Sequence, residues 1–426
     1  MLKLLIISAL FSQIIFSKEL NTSGKFEFVN DKYFNSLNYS DQKLKTTLLA
    51  DQVFEFGNFN FELDITSFRR DKQSSYYNLK SFNLSKNFLN LDFLVGFKIF
   101  NWGNLEVFTP NDLINSEAQD FDFLSKNKIG ELTFSVSKQL RYGKFNFMLF
   151  PFVNKNIHPS NISPYSNKNK TLNNYTLLTN KASKSIKEYN LQFALSFDFE
   201  FFGFVTKTFF ISHYDRQHPL IGTSQYSGNI TNSVPVDSIK FRNYPEVYLY
   251  KENVFGVNLL KHFKNITYKA EVNMHIPVTD KKVLTDIGLK TAGTYFEQAY
   301  GAEYLLKRNH GREYRFYFEM IFANESKNRF IYKETLFQSD YTMGVKYFYN
   351  DRFNQKLAAF YIGDFKQSHE RILKINYVRN LNNLWKLSSE FQLVRATSKS
   401  SSVKGQSELE FHDGLDKFTL AISRTF

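Results

Sequence analysis

The sequence predicts an all-β protein, a transmembrane antiparallel β-barrel of about 18 strands within a range of about 16 to 20. Three observations carry that prediction. Aromatic and aliphatic residues recur at every second position along most of the chain, the last ten residues form such a segment, and no Pro-, Gly- or Ser-rich linker divides the sequence into domains. Successive strand residues point to opposite faces, so a period of two gives each strand one apolar and one polar face.

The pattern is explicit in individual segments. From Leu191 to Glu200, the residues Leu191, Phe193, Leu195, Phe197 and Phe199 alternate with Gln192, Ala194, Ser196, Asp198 and Glu200. A helix would scatter these two sets around its circumference. Tyr314, Phe316, Phe318, Met320 and Phe322 repeat the order against Arg315, Tyr317 and Glu319, and the runs on either side of Gly57-Asn58 read as a tight hairpin. The chain holds 48 Phe and 25 Tyr in 426 residues, yet its mean hydropathy is only -0.38. A polytopic helical protein would need several runs of about 18 or more apolar residues, which are missing beyond the first residues. A soluble β-sandwich shares the alternation but closes its core within roughly 100 to 200 residues. Nineteen candidate segments run from 22–34 to 416–426. Bacterial barrels use even strand numbers, which marks either 22–34 or 404–413 as a false candidate.

The two ends of the chain agree on export. Lys3, the apolar stretch Leu4 to Phe16, and Ser17-Lys18 have the pattern of a secretory signal peptide, which predicts residues 1–17 as the leader and 18–426 as one barrel. With no Cys, neither a lipid-anchored N-terminal Cys nor disulfides nor thiolate metal sites are available. At the other end Phe418, Leu420, Ile422 and Phe426 share a face opposite Thr419, Ala421, Ser423 and Thr425. This ending resembles the C-terminal signature of bacterial outer-membrane proteins, apart from Arg424 at a position usually aromatic or apolar. That resemblance implies recognition of Phe418, Leu420, Ile422 and Phe426 by the barrel-assembly machinery.

Short turns and long polar stretches alternate between the strands, as in outer-membrane barrels with short periplasmic turns and longer outer loops. The stretch from Asn154 to Lys187 holds six Lys and no Asp or Glu. Its composition is that of a solvated loop, and its charge also suits lipopolysaccharide phosphates or anionic solutes.

The longest unusual connection lies at 100–129. Within it stand Trp102, Gly103, Glu106, Pro110, Asp112 and Asn115, and no basic residue occurs between Lys98 and Lys126. The order W-G-x-x-E-x-x-x-P-x-D resembles a segment of porin-like bacterial outer-membrane barrels, the alginate-export-like and related families, with Glu106 in place of an Asp and Ser116 in place of a second Pro. The resemblance implies barrel architecture and no particular substrate. On physical grounds the connection either folds outside or bends into the lumen, and the inward reading is adopted here. Glu106, Asp112, Glu117, Asp120 and Asp122 would then line a constriction, with Trp102, Gly103 and Pro110 as its anchor. Charged side chains at such a point set ion preference.

Catalytic constellations are weak. Ser212-His213-Tyr214-Asp215 is the only place where Ser, His and Asp fall together, and neighbours in a strand face opposite sides. His213 and His218 lack a third spaced metal ligand. No glycine-rich phosphate loop is present, and the isoelectric point near 9.4 is accounted for by export rather than nucleic-acid binding. The function expected is a passive channel for small hydrophilic solutes, without cofactor or enzymatic activity, set among outer-membrane lipid and lipopolysaccharide. The alternative is a surface adhesin or structural barrel that transports nothing.

Overall fold

The computed structural model of the protein describes residues 21–34, 39–55, 57–118, 127–157, 163, 174–178, 183–185, 189–216, 220–223, 245–278, 293–324, 337–396 and 409–426. Eighteen of its strands form one closed antiparallel barrel. They are β1 Asn21–Tyr33, β2 Ser40–Phe54, β3 Gly57–Phe68, β4 Tyr76–Phe88, β5 Leu91–Lys98 and β6 Glu131–Leu140. Next come β7 Gly143–Phe150, β8 Gln192–Phe201, β9 Phe204–Tyr214, β10 Pro245–Phe263, β11 Ile266–Pro277 and β12 Tyr295–Lys307. The circuit ends with β13 Glu313–Ala323, β14 Ser339–Phe348, β15 Lys356–Asp364, β16 Arg371–Asn380, β17 Trp385–Arg395 and β18 Lys417–Thr425.

Each strand pairs with the next, and β18 returns to β1 in register from Lys25↔Thr425 to Tyr33↔Lys417. Closure leaves no free edge. At the seam Phe426 exchanges backbone hydrogen bonds with Gly24 at 3.0 Å, and its ring stacks on Phe26 with centroids 5.0 Å apart. A side chain on Gly24 would meet that ring, because a Cβ there falls 2.3 Å from it.

The polarity is that of a barrel in lipid. Phe316 and Phe318 are 43% and 40% exposed on the outside of β13, whereas Glu319 between them and the interior is 2% exposed. Phe418, Leu420 and Ile422 likewise face outward, with Thr419, Ala421 and Ser423 inward. Buried charges are tolerable only when paired. Across the inner wall Lys43 meets Asp31 at 3.1 Å, Lys80 meets Asp64 at 2.6 Å, and Glu390 receives Lys374 and Lys417 at 3.0 and 3.5 Å.

Of the two doubtful segments, 404–413 is the one that drops out: residues 409–412 form a 3-10 turn, held by Leu409 packing into the interior rather than by a ladder. The hairpin placed at Gly57-Asn58 turns two residues earlier, between Phe54 and Gly57, because Gly57 already pairs with Phe54 and starts β3. The first segment is a genuine strand, β1. The leader assigned to residues 1–17, His218, and most of the lysine-rich stretch at 154–187 lie outside the described residues.

Candidate functional site

The connection between β5 and β6 is the third of the long ones, and residues 100–115 lie against the inner wall. Its two arms are tied together by Asn115, whose Oδ1 accepts from Phe100 N at 2.8 Å and whose Nδ2 donates to Ile129 O at 2.8 Å. Beside this clamp Glu117–Ala118 pairs with Asn127–Lys128. Ser116 donates through both N and Oγ to Glu131 Oε1 at 3.0 Å. The loop therefore returns to β6 through Asn115 and Ser116, which bond Ile129 and Glu131 at the start of that strand.

Between these arms the chain runs along the inner wall. Trp102 is buried, with its ring 4.8 Å from Phe209 on β9 and Lys207 5.7 Å above it. Phe100, Leu113 and Ile114 join it against Met148, Phe150, Ala194, Ile211 and Val254. The next residues meet a different stretch of wall, where Leu105 and Phe108 pack with Ala299, Ile321, Ile362 and Ile372. Gly103 is required where the two stretches meet, since a Cβ would lie 2.8 Å from Thr109 and 3.3 Å from Glu271.

Two wall carboxylates hold the segment by its backbone. Glu271 on β11 accepts from the N–H groups of Asn104, Leu105 and Asn111, the last two at 3.1 and 3.2 Å. Glu319 on β13 accepts from Glu106, Val107 and Phe108 at 2.7, 2.9 and 3.3 Å. Consecutive N–H groups converging on one anion form the concave donor array that backbones use for oxyanions. Asn273 donates to Pro110 O at 2.9 Å, and Asn258 joins Asn111 to the carbonyl of Trp102. These amides satisfy carbonyls that would otherwise be stranded inside the barrel.

The structure brings the sequence-selected residues into this arrangement unevenly. Trp102, Gly103 and Pro110 lie on the wall contact, and Glu106 forms an ion pair with Lys346 on β14 at 2.7 Å. Asp112 pairs with Lys128, which also donates to Phe100 O at 3.1 Å and Asn101 Oδ1 at 2.6 Å. Glu117 sits in the short ladder, its N–H donating to Asn156 at 2.9 Å. Asp120 and Asp122 lie outside the described residues. Sequence reasoning missed Glu271, Glu319, Asn258, Asn273 and Lys346. Their alternation signals an inward face but nothing about what they meet there.

Two cavities open beside the segment. One of about 460 Å³ lies along β1–β4 and β16–β18, lined by the charge pairs around Asp31, Lys80 and Glu390. Another of about 540 Å³ touches Trp102 and is lined by Lys98, Lys144, Lys207, Asp92 and Asp198. On the wall between β9 and β12, Glu252 Oε1 lies 3.1 Å from His213 Nε2 and 3.0 Å from His275 Nδ1. Asp215 accepts instead from Tyr250 Oη at 2.6 Å. Among the described residues no group of three or more His, Cys, Asp or Glu is placed to hold a metal ion.

The same architecture occurs in solved structures. OccAB1 of Acinetobacter baumannii superposes with a TM-score of 0.53 at 8% identity, over 96% of this chain and 97% of that one. Wzi of Escherichia coli, described as an outer-membrane protein involved in group 1 capsule assembly and a carbohydrate-binding β-barrel, superposes with a TM-score of 0.50 at 11% identity, over 100% of this chain and 88% of that one. The fold is a porin-like outer-membrane β-barrel. No protein-family model matches the sequence, and no curated protein matches it either.

Proposed function

We propose that the protein is a channel of the outer membrane through which small hydrophilic solutes diffuse passively, with the connection at 100–129 as its constriction. The observation that carries this reading is the fastening of residues 104–111 to Glu271 and Glu319, which keeps a polar loop inside a barrel wide enough to leave an aqueous path. Paired charges along the wall offer passing solutes hydrogen-bonding groups of both signs without a deep trap, and conduction requires binding that is easily reversed. The resemblance of Trp102 to Asp112 to the alginate-export-like segment supports the barrel and leaves the solute open. Lipopolysaccharide around the outer loops and the barrel-assembly machinery at Phe418, Leu420, Ile422 and Phe426 complete the proposed set of partners.

Single-channel recording in a planar bilayer tests it. Stepwise, ohmic conductance from the detergent-purified barrel is the expected result. A correctly folded, heat-modifiable barrel that conducts nothing would replace this reading with that of an adhesin or structural barrel.

A further inference from the structure

Cations of the protein fall into two populations. Many of those inside the barrel are matched by carboxylates, as in the pairs of Lys43, Lys80, Lys128, Lys346 and Lys374. On the rim carrying the short turns, Lys264, Arg308, Arg352, Arg379 and Arg424 have no carboxylate partner among the described residues. Lys264, Arg308 and Arg352 stand in the turns after β10, β12 and β14, and Arg379 and Arg424 near the ends of β16 and β18, so the five follow one arc of the rim.

The acids of the arc are already engaged. Glu313 lies 3.6 Å from Arg315, and Asp351 accepts within its own turn from Phe353 N at 3.1 Å and Gln355 Nε2 at 2.5 Å. At the seam Gly24 N donates to Phe426 O at 3.0 Å. Asp351 keeps its charge, since its donors are neutral, but the five cations outnumber it and the arc stays net positive.

Aromatic rings fix its height. Arg352 and Arg379 stand 4.5 and 4.3 Å from the centre of the Phe353 ring, Lys264 stands 5.6 Å from that of Phe263, and Arg424 stands 5.5 Å from that of Trp385. By strand alternation Arg379 and Arg424 share the outward face with Ile375, Tyr377, Leu420 and Ile422. Aromatics of this kind sit at the headgroup level of a bilayer, and basic side chains beside them reach the phosphates. We propose that this arc is a binding surface for anionic phospholipid headgroups, phosphodiesters of net negative charge, in the leaflet facing the short turns. Each basic residue at an anionic surface favours association by about fivefold, so a cluster enriches such lipids in the first shell.

Trp385 supplies the probe, because it lies within this arc while the only other tryptophan, Trp102, is buried inside the barrel. The full-length barrel is reconstituted in phosphatidylcholine containing, at equal mole fraction, either phosphatidylglycerol or phosphatidylcholine brominated near the headgroup end of its chains. Quenching of tryptophan fluorescence several-fold stronger by the brominated phosphatidylglycerol, diminishing as salt is raised, is expected. The combined variant K264Q/R308Q/R352Q/R379Q/R424Q, checked for heat-modifiable folding, should quench equally with both lipids. Equal quenching of the native protein by the two lipids overturns the proposal even if the variant does not assemble, and so does a preference that survives in an assembled variant. Conductance plays no part in the readout, so failure of the channel reading leaves this test intact.

Discussion

Replacing Glu319 by Ala removes one acceptor and strands three donors. The N–H groups of Glu106, Val107 and Phe108 reach Glu319 at 2.7, 2.9 and 3.3 Å, and the carboxylate is 2% exposed. An unsatisfied buried donor costs about 1 to 3 kcal/mol. Water in the lumen can replace part of the loss, so the lower end applies to each, giving about 3 kcal/mol in all. At about 1.4 kcal/mol per tenfold, the detached state of residues 106–108 gains on the order of 10²-fold in population. Glu319→Gln keeps one acceptor oxygen and should lose about 1 kcal/mol. Amide hydrogen exchange of the detergent-purified barrel reads this directly: protection at 106, 107 and 108 should fall in the order wild type, Gln, Ala. Protection at 104, 105 and 111, which Glu271 holds, should change much less, and channel current should become noisier in the Ala variant. Unchanged protection at 106–108 in Glu319→Ala would refute the claim that this carboxylate fastens the loop.

Three other outcomes are expected. Phe426→Asp puts a charge at the seam, where lipid-facing charges cost less than the roughly 2 to 4 kcal/mol of the midplane; secretion should continue while surface assembly falls, and normal surface levels on immunoblots of outer-membrane fractions would contradict the role of Phe426. Changing Glu106, Asp112, Glu117, Asp120 and Asp122 to amides leaves Lys346 and Lys128 unmatched, so reversal potentials in a salt gradient should move toward anions, while Lys346→Gln should move them toward cations; no change in either variant would remove the segment from the conduction path. Burial pushes His412, in the connection before β18, down to about 4. Its folded value lies below the unfolded one, so the stability of that connection is complete above about pH 6.5 and is lost as pH falls toward 4. Proteolysis at 409–416 should accelerate by roughly tenfold at pH 5, a local loss of about 1 to 2 kcal/mol, and His412→Gln should flatten the profile.

The barrel was legible because alternation is local: Phe316 and Glu319 announce their faces within a few residues, whatever the rest of the chain does. Segment 404–413 stayed ambiguous with 22–34 for the same reason, since alternation is present in both sequences while only the contact of Leu409 beneath the loop cluster separates them. The loop itself was visible through Trp102, Pro110 and an unusual run of acids. Its fastening was not. Glu271 lies 166 residues from Leu105 and Glu319 lies 213 residues from Glu106, so only the circumference of the closed sheet brings them together. Two of the five acids chosen for their charge, Glu106 and Asp112, proved to be half of ion pairs whose other halves, Lys346 and Lys128, drew no notice as ordinary inward or loop lysines.

The seam between β1 and β18 joins residues from opposite extremes of the polypeptide; Thr419 Oγ1 donates to Asp31 Oδ1 at 2.5 Å across a separation of 388 residues. Until β18 has been delivered, β1 presents a row of unsatisfied N–H and C=O groups to whatever lies nearby. Such an exposed edge invites pairing with another chain. A translation product cut short anywhere before Lys417 therefore carries two open margins rather than one defect, and it must be chaperoned or degraded. Closure is thus a single event: the hairpins from β1 to β17 can form without β18, but the cylinder is complete only when β18 pairs with both β17 and β1.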